Sequence, residues 1–128
     1  MWLITGGAYQ GKLEYAMQCT GIKKEDIADG AICDIEEIMK KPMVNCFHLW
    51  IARMLKDEQD VMTLVEKIMK NNPHIVFVVD ELGCGIVPIN SFDRMYRETT
   101  GRICCRIASR AKCVHRVICG VGVVIKND

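Results

Sequence analysis

The residues most suggestive of chemistry form a glycine-rich segment near the start of the chain. Gly6-Gly7-Ala8-Tyr9-Gln10-Gly11-Lys12 has the spacing G-x-x-x-x-G-K, and Leu13 follows it. At this spacing, glycines allow backbone N–H groups to turn inward around a phosphate, while the lysine reaches the β and γ oxygens of a nucleotide. The pattern therefore predicts nucleotide binding by Gly6, Gly7, Ala8, Tyr9, Gln10, Gly11, Lys12 and Leu13.

The residues on either side of this segment agree with that interpretation. Residues 2–5 are a short apolar run that predicts a buried strand, and residues 12–20 predict a helix that Gly21 ends. The amino end of such a helix adds positive potential at a bound phosphate. Leu13 departs from the pattern, because Ser or Thr at this position normally supplies a hydroxyl to Mg²⁺. The alternative is a glycine-rich turn followed by an exposed lysine.

Two carboxylates follow the most apolar run of the chain. Residues 75–79 are β-branched or aromatic, which is typical of a strand covered on both faces, and Asp80 and Glu81 come directly after them. Because strand ends in open parallel sheets meet at one crevice, both side chains are candidates for the nucleotide site. Asp80 is the candidate Mg²⁺ ligand, and Lys12, Asp80 and Glu81 are the candidate catalytic residues. The alternative is the solvated start of a loop.

Glycines and arginines extend this candidate site. Gly83 and Gly85 would let the following loop approach a ligand closely. Arg94, Arg97 and Arg102 lie on the next predicted helix, and their guanidinium groups suit phosphate, although arginines on a helix are often only a solvated face. The histidines, His48, His74 and His115, are better explained as structural residues than as catalytic ones.

Strands and helices alternate along the predicted elements. A brief strand is predicted at 27–30, a helix over 34–39 capped by Asp34, an amphipathic helix over 58–72, a helix over 91–111, and strands at 114–119 and 123–125. Residues 43–55 fit either a buried helix or a strand running into one. This order favours an α/β fold with a mainly parallel sheet, a three-layer sandwich of the P-loop NTPase type, RecA-like in arrangement.

Composition narrows the class of protein. The chain has 128 residues, half of them apolar, which predicts one domain over 1–128. A net charge of +1 without blocks of like charge argues against a nucleic-acid partner. The eight cysteines are expected to be reduced and structural, since the chain can build its own core. No apolar run approaches the ~20 residues that span a membrane, so we expect a cytoplasmic protein.

Several segments together resemble the bifunctional adenosylcobinamide kinase/adenosylcobinamide-phosphate guanylyltransferase family. Thr5 to Lys12 is similar to the family's phosphate loop, and residues 80–88, Asp-Glu-Leu-Gly-Cys-Gly-Ile-Val-Pro, resemble its Asn-Glu-Val-Gly-x-Gly-Ile-Val-Pro stretch. The arginine-bearing residues 94–102 and the closing residues 120–126 also match in sequence and position. The resemblance covers residues 1–20 and 75–126, and the middle of the chain departs from it.

The resemblance implies two reactions. The first is phosphoryl transfer from a nucleoside triphosphate, GTP or ATP with Mg²⁺, to the hydroxyl of a cobinamide-type substrate; the second is GMP transfer from GTP through a histidine. The family's acceptor histidine belongs to an insert that is largely missing here, so His48 in Asn45-Cys46-Phe47-His48-Leu49-Trp50 is the nearest substitute. The resemblance also implies a homo-oligomer, a trimer. The alternatives are a non-catalytic nucleotide-binding or assembly paralogue, and a kinase for another small alcohol.

Overall fold

The computed structural model describes residues 1–82 and 90–128. The strands are β1 (Trp2–Gly6), β2 (Ile27–Asp29), β3 (Met43–Asn45), β4 (Val76–Asp80), β5 (Cys113–Ile118) and β6 (Val121–Asn127). The helices are α1 (Lys12–Thr20), α2 (Ile35–Lys40), α3 (Phe47–Lys56), α4 (Val61–Asn71) and α5 (Ser91–Arg110), and a 3₁₀ turn, Lys24–Asp26, precedes β2. The alternation predicted from the sequence is therefore confirmed.

The strands form one six-stranded sheet in the order β2-β3-β4-β1-β5-β6. The first five are mutually parallel, and β6 pairs antiparallel with β5 at the edge. In the centre, the register places Gly6 beside Asp80 and Thr5 beside Arg116. Because parallel strands end at the same side of a sheet, this carboxyl edge collects the polar side chains at or beyond the ends of β1, β3 and β4, and Arg116 of β5 lies close to it.

Side chains of the central strands alternate between two apolar clusters, one on each face of the sheet. Leu3, Val44 and Phe77 belong to the larger cluster, which α2, α3, α4 and α5 cover. Their neighbours Ile4 and Val78 belong to the smaller cluster, against which α1 packs. An α/β arrangement with helices on both faces follows, and both faces of β4 are buried, as its unbroken apolar sequence predicts.

Local capping explains where the helices begin. Asp34 accepts a hydrogen bond from the backbone N–H of Glu37, so the predicted cap is confirmed, and Asn90 caps α5 in the same way by accepting one from that of Asp93. Helix α4 starts at Val61 rather than near residue 58, because Asp60 caps it by accepting from Thr63 N–H. Residues 43–55 are a strand running into a helix, which was one of the two arrangements left open.

The last two strands form a hairpin that the sequence only partly predicted. Strand β6 covers seven residues rather than three. Cys119 and Gly120, the two residues between the strands, have φ values of 50° and 76°. Positive φ at both positions of a two-residue turn matches the twist of antiparallel strands, which explains the tight return.

Two further expectations can be compared with the described residues. Within 1–82 and 90–128 the structure has no helix long and apolar enough to cross a membrane. The cysteines in these ranges are all free: Cys19, Cys33, Cys46, Cys104, Cys105, Cys113 and Cys119. Cys33 and Cys113 are buried, whereas Cys19, Cys105 and Cys119 are exposed.

Candidate active site

Lys12 is a buried cation at the point where the glycine-rich loop enters α1. Gly11 before it has φ 82°, a left-handed conformation that glycine adopts readily, and no side chain caps the helix. The lysine is only 7% exposed. Its Nζ donates to the carbonyl oxygen of Gly7 at 2.8 Å and lies 2.6 Å from Oδ1 of Asp80. The sequence-predicted Lys12 and Asp80 are therefore in direct contact.

The β5–β6 hairpin fixes the glycine-rich loop through hydrogen bonds to Gln10. The backbone N–H of Cys119 donates to Oε1 of Gln10 at 2.6 Å, and that of Gly120 donates to the Gln10 carbonyl at 2.7 Å. A Cβ on Gly6 would collide with the carbonyl oxygen of Val117. The hairpin thus fixes the loop's position, which leaves the amino end of α1 facing the carboxyl edge of the sheet.

Asp80 is shared between Lys12 and His48. Nδ1 of the His48 imidazole accepts a hydrogen bond from the backbone N–H of Asp80 at 3.1 Å, and Nε2 lies 3.4 Å from Oδ2 of Asp80. With Nδ1 acting as an acceptor, the neutral ring carries its proton on Nε2, the nitrogen that lies near the carboxylate. Lys12, Asp80 and His48 therefore form one connected polar group at the end of β4.

The surroundings of His48 keep it neutral and fixed. Burial lowers the pKa of His48, although the carboxylate of Asp80 acts in the opposite direction. The hydroxyl of Tyr96 on α5 donates to the His48 carbonyl at 2.8 Å, and burial raises the pKa of Tyr96 to about 12. The in-plane lone pair of the neutral ring lies on Nδ1, where it accepts the Asp80 N–H, so it is not available for covalent attack in this arrangement.

Glu81, directly after β4, is bound by an arginine of β5, and β1 lies between these two strands. Arg116 donates from Nε to Oε1 at 2.8 Å and from Nη2 to Oε2 at 3.1 Å, a two-point contact that fixes the plane of the carboxylate. The backbone N–H of Glu81 donates to the Gly6 carbonyl at 2.8 Å. The two adjacent carboxylates are thus positioned by different cations.

The residues at this site fit a magnesium ion that is bound by few protein ligands. Leu13 packs against the smaller apolar cluster and offers no hydroxyl. The side chain of Asp80 is 24% exposed, so its carboxylate faces the edge of the sheet. Mg²⁺ commonly takes one or two carboxylates and completes its shell with phosphate oxygens and water. Within the described residues no cluster of three or more His, Cys, Asp or Glu side chains could hold a metal ion.

The three candidate arginines are distributed over different parts of α5. Arg97 lines a cavity together with Asp80 and Glu81. Arg94 is exposed, and Arg102 lines a separate cavity with Asp60 and Leu55. The structure therefore brings Arg97 to the carboxylates and places Arg102 elsewhere. Gly83 and Gly85 lie outside the described residues, as do the other residues of 83–89.

Sequence reasoning missed two of the partners that fix the site. Arg116 and Tyr96 reach it through tertiary packing, and neither carries a local motif. Gln10 belongs to the predicted glycine-rich loop, and His48 was the nearest substitute for an acceptor histidine. For these two residues the sequence did not indicate the contacts that they make, with the β5–β6 hairpin and with Asp80.

Together the fold and the site define an α/β protein with a glycine-rich loop, a buried lysine and paired carboxylates at the carboxyl edge of a mostly parallel sheet. The family model "Cobinamide kinase / cobinamide phosphate guanyltransferase" matches residues 30–125, and the chain belongs to this family. The suspected relationship is thereby confirmed. The match runs through the middle of the chain, where the sequence was interpreted as departing from the family, and it does not include the glycine-rich loop.

Curated relatives agree with this assignment. The chain is similar to the bifunctional adenosylcobalamin biosynthesis protein CobU of Salmonella typhimurium, at 36% identity over 76 residues, which cover 59% of this chain and 41% of that protein. It is also similar to the protein of the same name from Escherichia coli K12, at 33% identity over 67 residues, covering 52% and 37%. The matched part thus spans about two fifths of the length of these relatives.

Proposed function

We propose that this chain is a nucleotide-dependent kinase of cobalamin biosynthesis that transfers the terminal phosphoryl group of GTP or ATP to the hydroxyl of a cobinamide-type acceptor. The observation that carries the proposal is the position of Lys12 Nζ, buried between the Gly7 carbonyl and Asp80 at an uncapped helix amino end. Family membership and the names of the relatives support the acceptor class. On this proposal residues 6–13 are a P-loop.

Each charged residue has a role in this proposal. Lys12 and the loop amides bind the β and γ oxygens, because cations and inward N–H groups compensate phosphate charge. Asp80 holds Mg²⁺, which when bound neutralises charge on the phosphates. Glu81 accepts the proton of the acceptor hydroxyl as its oxygen bonds to the γ phosphorus, while the bond from that phosphorus to the β–γ bridging oxygen breaks and the nucleoside diphosphate leaves. Arg97 contacts phosphate from the side of α5.

The kinase reaction is better supported than guanylyl transfer. Phosphoryl transfer depends mainly on positioning and charge neutralisation, which the described residues can supply. Guanylyl transfer through a histidine needs a free imidazole nitrogen. Nδ1 of His48 accepts the Asp80 N–H, Nε2 carries the proton and lies 3.4 Å from Oδ2 of Asp80, and burial lowers the pKa of His48. In the described ranges, His48 is the histidine in contact with Asp80.

Labelled nucleotides test the proposal directly. The protein is incubated with adenosylcobinamide, Mg²⁺ and either γ-labelled GTP or γ-labelled ATP, and label transfer to the corrinoid is followed by chromatography. Lys12→Met keeps most of the length of the side chain and removes the ammonium, so we expect transfer to fall at least about 100-fold. A parallel reaction with α-labelled GTP tests guanylyl transfer to protein. No transfer from either γ-labelled nucleotide would refute the kinase.

One observation favours a second function, a non-catalytic nucleotide-binding or assembly paralogue of the family. Leu13 presents an apolar side chain where a metal-binding hydroxyl is normal, and it packs against the core. Titration calorimetry separates the two functions. Binding of GTP or ATP without turnover favours the non-catalytic protein, whereas binding with turnover favours the kinase.

The proposal includes a homo-oligomer, a trimer by resemblance to the family. Strand β6 lies at the edge of the sheet, and Val121, Val123, Val124 and Ile125 are 45–66% exposed along it. An exposed apolar edge strand favours association with another chain. Sedimentation of the protein with and without nucleotide measures the oligomeric state, and a monomer under both conditions would contradict this part of the proposal.

A further inference from the structure

A cavity of about 170 Å³ opens where α5 faces the carboxyl ends of β1 and β4. Asp80 and Glu81 contribute to its strand side. On its helix side, Arg97, Gly101 and Cys104 follow one stripe of α5, since residues three or four apart share a helix face. The cavity therefore borders the candidate catalytic carboxylates from the side of α5.

Thr100, on the same wall, carries an unsatisfied hydroxyl. The residue is 2% exposed, and its Oγ1 has no hydrogen-bond partner within residues 1–82 and 90–128. A buried hydroxyl without a partner is destabilising relative to an apolar group of the same shape. A ligand that supplies the missing hydrogen bond would explain why a hydroxyl group occupies this position.

Gly101 is a second unusual residue on this wall. It lies in the middle of the continuous helix α5, where glycine is less favourable than alanine. A Cβ at this position would meet no atom within 4 Å, and its φ is not in the left-handed region. Neither packing nor backbone conformation in the described chain therefore requires glycine here. Its small size is explained if a ligand approaches the helix backbone.

The dimensions and position of the cavity limit what it can hold. An apolar cavity of about 150 Å³ accepts benzene, so this one fits a group of similar size. The nucleotide loop leads into α1 on the opposite face of the sheet, while Asp80 contacts Lys12 on that side and lines the cavity on this one. A group bound in the cavity would therefore meet the nucleotide phosphates at the carboxylates of Asp80 and Glu81.

We infer that this cavity binds the short hydroxyl-bearing arm of the phosphoryl acceptor, with the bulk of the acceptor remaining outside. The inference rests on the proposed kinase function and adds to it the site of the second substrate. The hydroxyl of Thr100 hydrogen-bonds to the arm, and Gly101 leaves room for it beside the helix. The arm's hydroxyl then lies near Asp80 and Glu81.

Two variants and one control test the site. Thr100→Val removes the hydroxyl and keeps the shape, and Gly101→Leu fills the cavity. Cys105→Leu introduces the same side chain on an exposed position of α5 that does not line the cavity. Initial rates give the KM for adenosylcobinamide and for the nucleotide, and thermal unfolding reports on the fold.

The expected results distinguish binding from structure. Thr100→Val should raise the KM for adenosylcobinamide about tenfold, the effect of one lost hydrogen bond, and leave the nucleotide KM unchanged. Its melting temperature should stay equal or rise, because an unsatisfied buried hydroxyl is removed. Gly101→Leu should raise the acceptor KM at least as much, and Cys105→Leu should not. An unchanged acceptor KM in both cavity variants would overturn the inference.

A binding measurement keeps the site testable if the kinase proposal fails. Propane-1,2-diol is titrated into ¹⁵N-labelled protein, and the amide shifts of Thr100 and Gly101 are followed. Saturable shifts that are lost in Thr100→Val support a short-alcohol site even without phosphoryl transfer. Absence of such shifts in the unmodified protein overturns the site, whatever the kinase assay shows.

Discussion

The ammonium nitrogen of Lys12 lies 2.6 Å from Oδ1 of Asp80, which joins the start of α1 to the end of β4. Both side chains are largely shielded, with 8% and 24% of their surface exposed. A phosphate that binds at the loop must therefore attract Lys12 away from a close ionic partner. Asp80 then becomes free to hold Mg²⁺, so the same contact links the two ligands.

Asp80→Asn should weaken nucleotide binding only when magnesium is present. Without Mg²⁺, the variant should bind GTP or ATP as tightly as the unmodified protein or more tightly, because Lys12 no longer has to leave a carboxylate. With Mg²⁺, affinity should fall about tenfold, the effect of losing one charged ligand. Calorimetry at matched ionic strength measures both. Equal loss under the two conditions would show that Asp80 does not contact the metal.

His48→Asn and His48→Gln should separate two roles of one imidazole. The asparagine oxygen can replace Nδ1 as acceptor for the Asp80 N–H, whereas the glutamine nitrogen can take the place of Nε2 beside the carboxylate. Both variants should lose stability, by about 1–3 kcal/mol, because the ring leaves a cavity. Only His48→Asn should weaken Mg²⁺-nucleotide binding, by about tenfold. Equal binding by the two variants would assign His48 a purely structural role.

Gly122→Ala should displace α1 from the sheet. A Cβ at Gly122 would overlap the ring of Tyr15, whose hydroxyl lies 2.7 Å from Nδ1 of His115. Overpacking of this kind typically destabilises by about 1–3 kcal/mol. Denaturant unfolding measures the loss, and the double variant Gly122→Ala with Tyr15→Leu should recover part of it. If the single variant unfolds like the unmodified protein, Tyr15 does not pack against β6.

Stability should fall in mild acid partly because of His115. Burial lowers the pKa of His115 below its ordinary value of 6.5, so the unfolded chain binds a proton more readily than the folded one. The free energy of unfolding therefore rises as the pH rises through the window just below 6.5. The contribution of His115 to stability is lost as the pH falls through the same window. Urea unfolding between about pH 5 and pH 7.5 should show a smaller pH dependence in His115→Gln. The remaining dependence should include His48, whose pKa burial also lowers.

Several elements were predictable because their causes are local. Asp34 and Asn90 cap helices within a few residues of themselves, and the apolar run before Asp80 is a buried strand whatever surrounds it. The predicted length of β6 was too short, because its pairing is with β5 and its side chains are mostly exposed. An exposed edge strand lacks the apolar periodicity that marks a buried one.

In the candidate site too, features encoded in consecutive residues were predictable and tertiary contacts were not. The spacing of Gly6, Gly11 and Lys12 indicated phosphate binding because loop geometry and helix polarity are encoded within consecutive residues. Which side chain holds each carboxylate was not readable, since His48 and Arg116 approach Asp80 and Glu81 from other strands and helices. The three arginines of α5 were equivalent in sequence, and only the orientation of the helix placed Arg97 at the carboxylates.

The sequence by itself determined the α/β alternation, the glycine loop ahead of a helix, and the relationship to the cobinamide kinase family, because each is written in neighbouring residues or in ordered motifs. Tertiary structure alone decided that Lys12 pairs with Asp80, that His48 belongs to the site, and that a cavity with an unsatisfied Thr100 hydroxyl adjoins it. These contacts depend on the order of the strands and on the rotation of the helices about their axes. Burial of the two apolar clusters fixes both, and it does so only when the whole chain is packed.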